Sequence, residues 1–284
     1  MFNPLSLINY RQNRRWFYPL ISLVVALSLA IATPIAAKAF DLRDLIVPGI
    51  QVIQLTRMSD KQEVQLGRQI NEQIGREFRI SRNSDLIKYV EEIGQGLVPY
   101  SERPELEYTF QVVDDDSINA FATAGGFIYV NTGLLKAADN EAEVAGVMAH
   151  EIAHVTGKHV LKQMREAVIA GGLANAAGLD RNTVVALGVE FGVRRPRSRS
   201  HEYEADRLGL EMVVKAGYAP SGMIRFFQKL LGGRSVPGIL STHPDTQDRI
   251  DALNLAIEEA GINPNQGNGL DGYAYKARIQ KLLQ

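Results

Sequence analysis

The stretch DNEAEVAGVMAHEIAHVTGKHVLKQM, residues 139–164, constrains this chain more than any other. Asp139 or Asn140 can cap a helix, Glu141 and Glu143 suit the positive end of its dipole, and the composition predicts one helix running to Met164. Three of the chain's five histidines lie inside it. His150 and His154 stand four apart, about 40° from each other around a helix, so both rings can face one ion. Glu151 is one step round, where its carboxylate reaches a water on such an ion rather than the ion itself. H-E-x-x-H on a helix is the spacing of zinc-dependent peptide hydrolysis. A catalytic zinc takes three protein ligands and keeps one position open. Whatever this chain folds into must therefore carry a third donor to the helix.

His159 is the nearest candidate, and the spacing argues against it. Metzincins continue as H-E-x-x-H-x-x-G-x-x-H. Gly157 stands where that glycine belongs, but the next histidine comes one residue early. On a continuous helix His159 faces about 180° away from His150, so it is expected on the surface or in support of the site rather than on the metal. The chain has no cysteine, which leaves only His, Asp and Glu as donors and excludes disulfides and thiol nucleophiles.

The acids that can complete the site lie downstream. In SRSHEYEAD, Glu202 and Asp206 are four apart and share one face of a predicted helix, whereas His201 and Glu204 point elsewhere. One acid as ligand, with a second a turn away to hold a ligand histidine, is the gluzincin arrangement. His243 stands in LSTHPDTQDRI, just ahead of a predicted helix, with Arg249 following. A helix-start histidine and a solvated acid are the bland alternatives for these positions. The arginines of RRPRSRS, residues 194–200, read as a solvated loop near the cleft entrance, or else as a patch for an anionic surface.

The rest of the 284 residues supply a frame. No acidic residue precedes Asp41; Arg11, Arg14 and Arg15 come before an apolar run at 20–32, and AKA at 37–39 fits a cleavage site. Residues 1–39 thus read as a signal peptide, with an uncleaved anchor over 16–37 as the alternative, and NRRWFY leaves twin-arginine export open. Either way the remainder is expected outside the cytoplasm, periplasmic or secreted, with 40–284 as a single domain whose core spans about 60–260. Net charge is −1, which gives no reason to expect nucleic acid. Helices are expected over 59–78, 83–98, 201–217, 220–233 and 243–261, strands over 108–114 and 125–135, and further packed helices in 167–193. The fold class is α+β: mostly helical, gluzincin-type, with a small β-sheet beside the zinc-binding helix.

Taken together, HEIAHVTGKH, SRSHEYEAD, STHPDTQDRI and INAFATAGGFIYVNTGLL resemble the M48 family of zinc metallopeptidases over roughly residues 60–260. The resemblance implies one Zn2+ per chain on His150, His154 and Glu202, with Glu151 as general base toward a zinc-bound water. It implies that Asp206 supports the site and that Arg249 contacts the substrate or its carbonyl. His243 would lie over the site, as a fourth ligand in a latent form or an oxyanion stabiliser in the working one. Asn119, Ala120, Phe121, Gly125 and Gly126 would bind protein or peptide substrates in extended form along a strand edge. The expected activity is a zinc endopeptidase acting on unfolded or misassembled envelope proteins, near the membrane surface or outer-membrane assembly. The alternative is a latent, chaperone-like binding protein capped by His243. The chain departs from the membrane-embedded members in lacking their transmembrane helices, and no tetratricopeptide domain is expected.

Overall fold

The computed structural model describes Leu55 and residues 57–170, 179–231, 238–244 and 246–284. The leader read in 1–39 and the alternative anchor over 16–37 lie outside the described residues.

Local signals set most of the boundaries. Helix α1, Asp60–Glu77, begins at a reciprocal capping box in which Ser59 and Gln62 satisfy each other's backbone N–H. Helix α2, Ser84–Leu97, is capped by the Asn83 side chain and buries Leu86, Val90 and Ile93. Strands β1 (Thr109–Val113), β2 (Ala120–Ala122) and β3 (Phe127–Asn131) form a sheet in the order β1-β3-β2. β1 runs parallel to β3, with Thr109 opposite Phe127; β2 runs antiparallel to it, with Phe121 opposite Tyr129. The β2–β3 turn carries Gly125 at φ 80° and Gly126 at φ 90°, a region where a side chain is strained. The predicted second strand is shorter than 125–135. Its end winds into a short helix α3, Thr132–Ala137, that periodicity cannot reveal in six residues.

Helix α4, Glu141–Thr156, is capped by Asn140, and every residue from Ala142 to Thr156 is buried. A helix enclosed on all sides shows no amphipathic stripe, which is why so many small residues flank its histidines. The helix predicted to run to Met164 is in fact two. α4 ends at Gly157, Lys158 takes φ 52°, and α5, His159–Ala170, starts in a new direction. Beyond these come α6 (Arg181–Val189), a π-helical turn over Glu190–Arg194, α7 (Arg199–Lys215), α8 (Ser221–Leu231), α9 (Gly238–Thr242), α10 (Thr246–Glu259) and α11 (Gly272–Leu282). This is the expected mostly helical α+β fold. Among the described residues no helix is long and apolar enough to cross a membrane.

The sheet is buried on both faces. Phe110, Val112, Ile128 and Val130 join α2, α4, α7 and α8 in one core. Val113, Phe121 and Tyr129 join α1, α5 and α6 in the other. The period-2 alternation of the strands thus divides their side chains between two cores, and α4 lies along β2 with its histidines facing α7.

Candidate metal centre

His150 and His154 leave the same face of α4 as their spacing requires, with their Nε2 atoms 2.9 Å apart. α7 brings Glu202 against both: Oε1 lies 3.3 Å from His154 Nε2 and Oε2 3.5 Å from His150 Nε2. The segment after α9 brings His243, whose Nδ1 is 3.1 Å from both Glu202 oxygens and from His150 Nε2. These four donors are buried and lie within 4.8 Å of one another.

The donor set fits a metal ion in three respects. Two nitrogens and a carboxylate converge at separations close to the ~3.3–3.5 Å between neighbouring ligands of a tetrahedral ion with bonds of about 2.0–2.2 Å. Three buried acids, Glu151, Glu202 and Asp206, also stand around the donors, beside two buried guanidiniums, Arg249 and Arg197. Burial opposes protonation of His150, yet Asp206 and Glu202 outweigh it and lift that imidazole to about 9. Burial and the neighbouring His150 hold His154 well below its ordinary value. Burial likewise opposes charge on Glu202, but the surrounding histidines keep its carboxyl well below the usual range. Third, Glu151 is fully buried with no hydrogen-bond partner for either oxygen among the described residues. A buried carboxylate left that way is costly unless its site is meant for a ligand. His243 Nε2 stands 3.5 Å from Glu151 Oε1.

Asp206 lies a turn beyond Glu202, with Oδ1 2.9 Å from His150 Nδ1, although not along the ring N–H direction. Arg249 is not free to meet a substrate, contrary to the sequence expectation. Its Nε and Nη2 donate to both oxygens of Asp206 at 2.6 and 2.7 Å, and Nη1 is 2.6 Å from Glu202 Oε2. The guanidinium is 1% exposed, stacks on Phe227 and also reaches the Pro244 carbonyl through Nη1 at 3.5 Å, so its donors are taken up within the protein.

Three further expectations are corrected. His159 is not on the surface, one of the two places expected for it: it is fully buried, and its Nδ1 is 2.7 Å from His154 Nδ1. The break at Lys158 removes the continuous-helix premise that pointed it elsewhere. Its ring stacks on that of His201, which is buried as well. Arg197 is not part of a solvated loop. It is 3% exposed and donates to the carbonyls of Phe191, Gly192 and Ala122 and to the Gln163 side chain. Gly125 and Gly126 do not form a binding edge: a Cβ at either would sit 2.6 Å from the Glu63 carbonyl oxygen or 2.2 Å from that of Glu107. They let the turn press against neighbouring backbone.

The remaining strand residues divide by direction. Asn131 N–H donates to the Asn119 carbonyl and Thr123 N–H to the Phe127 carbonyl, so residues 119, 121 and 123 pair with β3. Ala120 and Ala122 therefore turn their peptide groups the other way. Arg197 takes the outward Ala122 carbonyl, and Ile239 N–H takes the Ile118 carbonyl. The Phe121 side chain stacks on Tyr129 inside the second core, 4.6 Å between centroids. Of the five residues expected to bind substrate, Ala120 is the one whose backbone is turned toward the edge.

A helix-borne H-E-x-x-H pair, faced by Glu202 from α7 and with an Asp206–Arg249 pair beside it, has the layout of a gluzincin-type site. The sequence pattern of Peptidase family M48 matches residues 85–257, and the chain belongs to that family. It is 30% identical over 253 residues to the "Beta-barrel assembly-enhancing protease" of Escherichia coli (strain K12), a match covering 83% of this chain and 51% of that protein. It is 31% identical over 253 residues to the "Putative beta-barrel assembly-enhancing protease" of Vibrio cholerae, covering 82% and 51%. It is 38% identical over 158 residues to the "Mitochondrial metalloendopeptidase OMA1" of Arabidopsis thaliana, covering 52% and 32%. The chain spans about half the length of the first two.

Proposed function

We propose that this chain is a zinc metalloendopeptidase that cleaves unfolded or misassembled proteins outside the cytoplasm, with 40–284 as its single domain. His150, His154 and Glu202 would hold the zinc. The observation that carries this is the fully buried Glu151 carboxylate, without a hydrogen-bond partner among the described residues, beside a convergent His/His/Glu set. A zinc ion bound there supplies Lewis acidity toward water and a peptide carbonyl. Glu151 takes the proton of the attacking water and returns it to the leaving amine, a transfer that its position in a dry site favours. Arg249 fixes the two acids, Glu202 and Asp206, and Asp206 in turn draws the Nδ1 side of His150. The N-terminal pattern of residues 1–39 supports export, and the likeness to bacterial beta-barrel assembly-enhancing proteases supports an envelope substrate.

The test is zinc content and casein cleavage of the purified protein beside its Glu151→Gln variant. The variant should keep one zinc and lose cleavage by at least about 100-fold, the lower range for a general base. Retained cleavage, or a parent without zinc, would defeat the reading.

A second reading, latency, is favoured by one contact set. His243 Nδ1 stands among the other three donors rather than beyond them. In that form His243 would occupy the substrate's place until displaced. His243→Ala should then gain peptidase activity; a loss would instead assign His243 to the working site as an oxyanion stabiliser.

A further inference from the structure

His154 can bind an ion through Nε2 only if its proton sits on Nδ1, and a buried N–H needs an acceptor. The atom in reach is His159 Nδ1, at 2.7 Å. Two ring nitrogens at that distance hold one proton between them, so if His154 carries it, His159 Nδ1 must be bare. The neutral His159 ring then has its proton on Nε2, which lies 3.3 Å from Glu204 Oε2. Each link follows from the one before it.

We propose that His159 and Glu204 form a positioning relay, Glu204 to His159 to His154, that fixes the tautomer and ring orientation in which His154 offers Nε2 to the metal. This rests on the zinc reading above. It gives His154 a buffer of its own, separate from Asp206 at His150. The fold is built around it. Lys158 adopts φ 52° between α4 and α5, turning the chain back so that His159 follows the helix end at once. Gly157 has no side chain where one would strike the His159 ring, since its Cβ would lie 2.3 Å from Nε2. His201 stacks on the other side, 4.2 Å between centroids and 10° from parallel, so the plane of the ring is fixed. Lys158 is itself held by Glu63 at 3.1 Å, tying the turn to α1.

The relay is tested by metal affinity rather than by activity. In competition with a chromophoric chelator, His159→Phe should bind zinc about 10- to 100-fold more weakly than the parent, the range for losing a hydrogen-bond partner of a ligand histidine. His159→Asn places an amide oxygen near the lost Nδ1 and should recover to within about threefold of the parent. A His159→Phe protein with parental affinity overturns the relay, and so does an Asn variant as weak as Phe, which would leave only packing. The unmutated protein gives an independent reading: in long-range 1H–15N spectra of its zinc-loaded form, the His159 proton should be on Nε2 and the His154 proton on Nδ1. A His159 proton on Nδ1 also overturns the relay. A parent that takes up no zinc would instead sink the metallopeptidase reading on which the relay stands.

Discussion

Two buried carboxylate clusters flank the same helix, and they differ in whether the protein satisfies its own charges. At the C-terminal end of α4, Glu63 is 1% exposed and accepts from Arg103 at 2.8 and 3.2 Å, from Lys158 at 3.1 Å and from Gly125 N–H at 3.3 Å. Arg103 also caps the Val155 carbonyl at 3.1 Å. Two acids, Glu63 and Asp60, meet two bases there. On the face of α4 the account does not close: among the described residues neither Glu151 oxygen has a hydrogen-bond partner, although the side chain is fully buried near Glu202 and Asp206. A buried polar cluster that is complete acts as a tie, whereas one that is incomplete is a place for something else.

Removing a donor from the incomplete cluster should have the largest effect. Apparent zinc-binding free energies of about 10–16 kcal/mol in small protein sites, shared over three or four donors, make each worth roughly 3–5 kcal/mol. Glu202→Ala should therefore weaken zinc by roughly 150- to 5,000-fold in chelator competition. A change below tenfold would show that the carboxylate is a bystander and that the two clusters are alike.

The complete cluster should respond in stability rather than in metal. Glu63→Ala leaves Arg103 and Lys158 without their buried acid, and breaking such a pair costs about 3 kcal/mol or more. Denaturant unfolding of the zinc-loaded protein should show this loss while zinc stays at one per chain. Zinc lost from a still-folded Glu63→Ala protein would mean that the tie and the site are one unit.

What was legible in the sequence follows the range of the interactions. His150, Glu151 and His154 need only the 3.6-residue period, and Ser59, Asn83 and Asn140 announce their helices by local capping chemistry. Glu202 with Asp206 needs one more helix, and its face could be read from spacing. The misreadings came where a single residue or a distant partner decides. The whole position of His159 depends on Lys158 adopting a left-handed conformation, although KHVLKQM has the composition of an unbroken helix. Arg197 sits in a run of arginines that reads as solvated, yet carbonyls from two segments and the Gln163 side chain enclose it. Arg249 is bound to acids 43 and 47 positions earlier in the chain, a pairing that no local pattern encodes.

The smallest effect belongs to charges outside both clusters, and it guards the comparison against a simpler account in which any lost ion pair destabilises the chain. Arg207 follows Asp206 directly, but its guanidinium points outward and pairs with Glu211 a turn later at 2.6 Å, with side chains 59% and 45% exposed. In water such an i,i+4 pair gains little Coulomb energy and loses side-chain freedom, so it is worth about 0.3–0.5 kcal/mol. Arg207→Ala should shift unfolding by no more than about 0.5 kcal/mol and leave zinc affinity within about twofold. The same substitution separates two views of Asp206. If Arg207 were its partner, as adjacency in the sequence suggests, the variant would weaken the site. Because both Asp206 oxygens are held by Arg249 instead, zinc binding should not register the loss. A Arg207→Ala protein with zinc affinity reduced tenfold would show that the Asp206–Arg249 pair does not stand alone.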